Sequence, residues 1–348
     1  MSPGINTDAG VLRMTDSPIF IVGCPRSGTK LIRDLLRSHP NITFPYESHF
    51  IPRFYKLYGN PGNEAEAVKI AAAILGIYWV RAFKLSQTPS SFSECRSYGE
   101  IVSRIFMEWA GRDGKPRWGD KTPQYVTEIP ALIEIFPSCK ILHIYRDGRD
   151  VALSYIKQWY GPGNVYAAAR AWRRMVTKGR DDGGRAGPER YMEVRYETLL
   201  EDPREIKEEV CEFIGEPFCE AVLRPNFIES GINLSQPGGY GTMTEILSKN
   251  REKWRNEMSA ADRAIFESVA GDLLGELGYE TEGHGRPITI PEKLMWLAQD
   301  YYNFIQKRRK RRRMKAWLPD EILLRWADIR SGFSIYKLFG KRNPKSKK

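Results

Sequence analysis

The run Ile19-Phe20-Ile21-Val22-Gly23-Cys24-Pro25-Arg26-Ser27-Gly28-Thr29-Lys30 constrains this chain more than any other stretch. An apolar segment of strand type leads into a short loop of Gly, Pro, Ser and Thr. A helical pattern follows, with Leu31, Ile32, Leu35 and Leu36 on one face, and His39-Pro40 ends it. Strand, glycine loop and helix N-terminus together form an anion cradle, because free backbone N–H groups and the helix dipole both point at the loop. The loop departs from the GxxxxGK[ST] pattern, which requires Lys at 29 and Ser or Thr at 30. Here Thr29 and Lys30 stand in the opposite order, and Arg26 lies inside the loop. The hydroxyl that would hold Mg²⁺ is out of place. The spacing therefore predicts a loop that takes a phosphate-like anion without a metal.

A second element repeats the logic. Lys140-Ile141-Leu142-His143-Ile144-Tyr145 reads as a buried strand, followed by Arg146-Asp147-Gly148-Arg149-Asp150 and a helix from about Val151. Asp150 suits the N-cap, with Ser154 in the first turn beyond it. Arg146 and Ser154 would then hold a second phosphate, at the end of the strands where open α/β sheets bind ligands. Strand and helix patterns alternate from 18 to 215, which predicts an α/β, three-layer P-loop-type fold with a parallel sheet covered on both faces. The stretch 63–110 reads as helices and sits where a substrate-shaping insertion is expected. The predicted division is a flexible segment 1–16, a catalytic domain 17–285 and a basic, amphipathic, helical extension 286–348.

The ordered motifs resemble a known family. Pro25-Arg26-Ser27-Gly28-Thr29, then Arg146 to Ser154, then Arg195-Tyr196-Glu197 look like the signature elements of sulfotransferases that use 3′-phosphoadenosine 5′-phosphosulfate (PAPS). The pattern is most similar to tyrosylprotein sulfotransferases and the bacterial enzymes like them. As in those enzymes, His39-Pro40 precedes an acidic segment and Ile51-Pro52-Arg53. The resemblance covers about residues 17 to 280. It implies PAPS as co-substrate, no metal, and in-line transfer of a sulfuryl group to a hydroxyl or amine. That chemistry requires positioning, charge stabilisation on the leaving oxygens and removal of the acceptor's proton.

The resemblance also implies roles. Arg26, Ser27, Gly28, Thr29 and Lys30 fall on the 5′-phosphosulfate loop, with Lys30 where the family usually has a second Thr. Arg146 and Ser154 fall on the 3′-phosphate motif, and Tyr196 lies beside the adenosine. Lys121, in Trp118-Gly119-Asp120-Lys121-Thr122-Pro123, matches the Lys next to the bridging oxygen. The catalytic base falls on Glu47. His49 is the rival, since many cytosolic sulfotransferases use a His. A carboxylate base needs burial or a raised pKa to work near neutrality, and Phe44, Tyr46 and Phe50 offer such surroundings. Arg251 and Lys249, in the segment before Trp254, are candidates for closing over the 3′-phosphate.

Charge is distributed unevenly. The chain has a net charge of +11, yet residues 307–348 alone carry 16 Lys or Arg and 3 acids, so the basic excess belongs to the tail. Leu294, Leu297, Tyr301, Phe304 and Ile305 recur at helical spacing before it. Trp317, Trp326, Phe333 and Phe339 are interleaved with the charges. Such a segment fits an anionic membrane surface better than nucleic acid, while a solvated tail and apolar residues packing on the domain stay open. No run of 18 apolar residues occurs, residues 1–17 lack a signal-peptide pattern, and five Cys without a CxxC pair read as reduced thiols. The expected place is the cytoplasm, peripheral to the inner membrane face. Acceptors on glycans, lipids, peptides or small metabolites stay open. So do two other classes, a P-loop kinase or NTPase and a non-catalytic membrane-binding protein on the same scaffold.

Overall fold

A computed structural model describes residues 17–81, 83–201, 204–223, 250–283 and 285–313. Its centre is strand β1 (Ile19–Gly23), in which all five residues are buried. Successive side chains of a strand point to opposite faces, and β1 uses both. Phe20 and Val22 enter one hydrophobic cluster, while Ile19 and Ile21 enter another. A strand that is apolar on both faces must lie inside a sheet with helices on each side. The sheet has the order β2-β3-β1-β4-β5, with β2 at Ile42–Thr43, β3 at Arg117–Lys121, β4 at Lys140–Tyr145 and β5 at Tyr191–Arg195. All its pairings are parallel, Ile19 lying opposite both Gly119 and Lys140.

On the Ile19/Ile21 face pack α1 (Thr29–Leu36), α9 (Tyr196–Glu201) and α10 (Glu205–Ile214), through Leu31, Leu35, Leu199 and Val210. The Phe20/Val22 face is more heavily covered. In chain order it carries α2 (Ile51–Tyr58), α3 (Glu64–Leu75), α4 (Tyr78–Arg81), α5 (Tyr98–Arg112), α6 (Ile129–Ile135), α7 (Gly148–Ile156) and α8 (Val165–Ala186). It continues with α11 (Trp254–Glu257) and α12 (Ala260–Glu276). The helices expected within 63–110 are α3 and α5, and they bury Ile70, Ile74, Ile105 and Phe106 in the core of that face. A last helix, α13 (Ile290–Arg313), lies against α8.

The helix after β4 begins three residues earlier than its sequence pattern indicates. Gly148 is its first residue and Asp147 its N-cap, accepting from Arg149 N. Asp150 does not cap; its carboxylate accepts from Trp254 N and pairs with Arg146 Nη2 at 2.9 Å. Two Asp residues compete for the cap, and tertiary partners decide between them. Ser154 consequently sits in the second turn rather than the first. Residues 1–16, Lys249 and the tail from 314, with Trp317, Trp326, Phe333 and Phe339, lie outside the described residues.

Candidate active site

The loop after β1 turns sharply. Ser27 N donates to Cys24 O at 3.1 Å, Arg26 holds a left-handed φ of 79°, and Gly28, with φ 96°, caps α1. A Cβ on Gly28 would lie 2.1 Å from the Tyr196 ring, so only glycine fits there. The same contact places Tyr196, the first residue after β5, directly against the loop. Arg26 Nε donates to Ser154 Oγ at 2.8 Å, and its guanidinium also bonds the Tyr160 hydroxyl. Lys30 is half-buried, and Arg33, Lys121 and Arg26 are near. Burial first, and these cations with it, lower its pKa against the pull of Asp34. The cradle therefore carries concentrated positive charge.

Glu47 sits on the segment between β2 and α2, which is tied to the end of β3 by several bonds. Ser48 N donates to Thr122 Oγ1 at 3.2 Å, Ser48 Oγ meets the Tyr125 hydroxyl at 2.8 Å, and Ile51 N donates to that hydroxyl at 3.0 Å. The carboxylate is held on two sides. Lys121 Nζ donates to Oε1, and His49 Nε2 lies 3.1 Å from Oε2. His49 reaches it from a left-handed backbone, φ 54°. Burial favours the neutral carboxyl, yet the Lys121 ammonium and the His49 bond outweigh it and hold Glu47 well below the usual carboxylate range. A raised pKa is therefore not what the site provides; Glu47 is an ionised, paired carboxylate. The Lys121 ammonium is pulled down by burial, against the opposing effect of Glu47. Asp120, next in line, has its carboxyl pushed up to about 6 by burial, with Ser48 and Thr122 hydroxyls opposing the rise.

Arg146 emerges from the end of β4. Its Nη2 donates to Asp150 Oδ2 at 2.9 Å and Asn250 O at 2.7 Å, and its guanidinium lies 4.6 Å from the Tyr196 ring centre. Asn250 Nδ2 donates to the Tyr196 hydroxyl at 2.9 Å. Arg149 faces away from this group. It binds Asp147, Glu267 and the Glu280 carbonyl and stacks 3.5 Å from the Trp254 ring centre, fastening α7 to α11 and α12.

The candidate residues thus form two neighbouring groups. Arg26, Lys30, Glu47, Lys121 and Ser154 surround the loop on one side. Arg146 and Tyr196 form the other, and Gly28 is the seam between them. Ser154 partners Arg26 rather than Arg146 in this arrangement. Arg251 is turned to solvent and pairs with Glu201. Tyr160, Asn250 and Asp120 are additional residues of the site. Asn250 lies in the segment singled out before Trp254, whereas nothing in the pattern around Tyr160 marks it. A cleft of about 670 Å³ between α8, α12 and residues 286–293 contains none of these residues; Arg170, Arg174 and Lys293 line it.

Among the described residues, Ser27 Oγ and Arg146 Nε are buried without a hydrogen-bonding partner. A buried polar atom is costly unless it is satisfied, and phosphate oxygens at the two ends of a 3′,5′-substituted adenosine would satisfy both. The parallel sheet, with its glycine loop at the end of the central strand, defines a P-loop-type α/β protein. The family model described as the sulfotransferase family matches residues 18–220, and the chain belongs to that family. Protein-tyrosine sulfotransferase of Drosophila melanogaster is 26% identical over 63% of this chain and 42% of its own length, so the chain spans less than half of that relative. Nodulation protein NoeE of Sinorhizobium fredii is 26% identical, over 82% of this chain and 72% of its own. The sulfotransferase domain of the Synechococcus olefin synthase superposes with a TM-score of 0.54 at 24% identity, covering 76% of this chain and 95% of that domain. That likeness is one of fold.

Proposed function

We propose that the chain transfers a sulfuryl group from PAPS to a hydroxyl or amine acceptor, with Glu47 as base. The observation that carries this reading is the carboxylate of Glu47 held by Lys121 and His49 beside a loop rich in cations. Ser27, Thr29, Lys30 and the N-terminal N–H groups of α1 hold the 5′ end of the nucleotide; Arg146 holds the 3′-phosphate and Tyr196 the adenosine. The bound nucleotide supplies the activated sulfuryl group. Arg26 offsets the negative charge on its oxygens, and Lys121 serves the leaving oxygen. In turning to that oxygen Lys121 releases Glu47 from its strongest counter-charge. Burial then raises the basicity of the carboxylate at the moment it accepts the acceptor's proton. Cations at 26, 30 and 121 supply the charge that a phosphoryl-transfer enzyme draws from Mg²⁺, which favours this reading over a kinase or NTPase.

The acceptor belongs to a glycan, lipid, peptide or small metabolite, reached from the cytoplasm, and the basic extension meets an anionic membrane. Helix α13 supports that last point. Ile290, Leu294, Leu297 and Tyr301 are exposed along one side of it, while the sequence Lys307–Arg313 adds charge at its end. Thermal unfolding tests the donor. Adenosine 3′,5′-bisphosphate at about 100 times its Kd should add about 2.7 kcal/mol without any metal, a rise of several degrees. ATP with Mg²⁺ should add nothing. The reverse pattern would establish the kinase or NTPase class instead.

A further inference from the structure

Between α7 and α8 the chain makes a turn over residues 157–164 that carries Trp159 and Tyr160. The Tyr160 ring packs against Tyr155 at 6.0 Å and Trp159 at 5.2 Å between centroids. Its hydroxyl meets the Arg26 guanidinium, and the Glu47 carboxylate is close enough to act on it. A loop residue keeps a partner in place only with support from elsewhere in the fold. Here the support comes from α13, far along the sequence.

Lys307 Nζ lies 2.9–3.2 Å from four carbonyl oxygens, those of Ile156, Gln158, Gly161 and Pro162. The first belongs to the last residue of α7, where an ammonium also complements the helix dipole. Asp300 Oδ1 accepts from Gly163 N at 2.6 Å, and Asn303 Nδ2 donates to Gly163 O at 3.0 Å. Asn164 Nδ2 donates to Trp296 O at 2.8 Å. The approach is so close that a Cβ on Gly163 would stand 2.8 Å from Asn303 Cβ. Residues 296, 300, 303 and 307 form one stripe of α13. Apart from Trp296, whose ring packs on Tyr166 at 5.0 Å, this stripe is polar and faces the domain, where an ordinary surface helix turns an apolar one inward. A helix that spends its inward face on loop carbonyls is built to hold that loop.

We propose that α13 is the mount of the 157–164 loop, and that Tyr160 is a positioning residue which fixes the Arg26 guanidinium for transfer. The proposal rests on the role given to Arg26 in the sulfuryl-transfer reading. Arg26 acts where charge develops, so its misplacement lowers turnover and leaves nucleotide affinity almost unchanged. A displacement of about 1 Å at such a group costs up to roughly 10²-fold.

The test uses the full chain and needs no acceptor. The slow hydrolysis of PAPS by water is followed in the wild type, Tyr160→Phe, Lys307→Ala and the double variant, with Asn303→Ala as a milder change should Lys307→Ala fail to fold. Hydrolytic kcat should fall about 10-fold in Tyr160→Phe and by a similar factor in Lys307→Ala, with the affinity for adenosine 3′,5′-bisphosphate retained. The double variant should be no slower than Tyr160→Phe alone, because Lys307 acts through Tyr160. The Arg26 Nε–H, followed by nitrogen-15 NMR, should exchange faster with solvent in each single variant. Losses that multiply in the double variant, or an Arg26 Nε–H as protected as in the wild type, would overturn the proposal. If adenosine 3′,5′-bisphosphate does not stabilise the wild type, the sulfuryl-transfer reading falls, and the exchange of Arg26 Nε–H still decides whether α13 is the mount.

Discussion

Glu47 owes its state to neighbours that pull in opposite directions. Burial pulls it toward the neutral acid, and Lys121 with His49 outweighs that pull and makes it an anion. Its pKa in the fold lies below the ordinary value of 4.5, so its share of stability is complete above 4.5 and is lost as pH falls through the lower folded value. Activity that needs the anion should therefore persist to acidic pH in the wild type. Lys121→Met removes the counter-charge and leaves the burial. The acid limb of kcat/KM should then move to higher pH, with His49 still opposing the full effect of burial, a shift visible in the pH profile of PAPS turnover. Glu47→Gln should lower turnover by roughly 10²–10⁴ while donor affinity is kept. Near-normal turnover in Glu47→Gln, together with a large loss in His49→Ala, would transfer the base role to His49.

At the level of elements, each of the five strands delivers candidate groups at its C-terminal end. β1 leads to Arg26 and Lys30, β2 to Glu47, β3 ends on Lys121, β4 leads to Arg146 and β5 to Tyr196. Arg146→Ala should weaken adenosine 3′,5′-bisphosphate by about 1.5–3 kcal/mol, the range for a charged hydrogen bond, and spare adenosine 5′-phosphate. Equal losses for both nucleotides in calorimetry would remove Arg146 from the 3′-phosphate. This framework was legible because strands buried on both faces read as apolar runs, and because a glycine loop before a helix has a definite pattern. Asp147 rather than Asp150 as cap was not legible, since Trp254, from a distant part of the chain, takes the Asp150 carboxylate. Tyr160 was hidden for the same reason: its partner is set by a turn that α13 holds. The helical spacing of Leu294, Leu297 and Tyr301 did reveal α13, but periodicity cannot tell which stripe faces inward. Carbonyls of the 156–162 segment chose the polar one.

For the molecule as a whole, the outward face of α13 and the basic residues from 307 should make the protein a peripheral membrane binder. No helix among the described residues is long and apolar enough to cross a bilayer. Full-length protein should sediment with anionic vesicles more than with neutral ones. Each Lys or Arg near the surface contributes about 1 kcal/mol. Binding should fade as salt shortens the Debye length from about 10 Å at 0.1 M to 3 Å at 1 M. Leu294→Glu with Tyr301→Glu, on the exposed stripe, should weaken it without altering the affinity for nucleotide. Equal sedimentation with both kinds of vesicle would assign the apolar stripe to another partner. The strand ends have one more consequence, for folding. Arg26 precedes the helix that follows the first strand, and Tyr196 follows β5, the last of the five strands in the chain. Contacts between such distant segments form late, because loop closure must precede them. The nucleotide therefore has no partly folded form to bind. It can trap only the finished sheet, and on refolding its site should appear all at once rather than strand by strand.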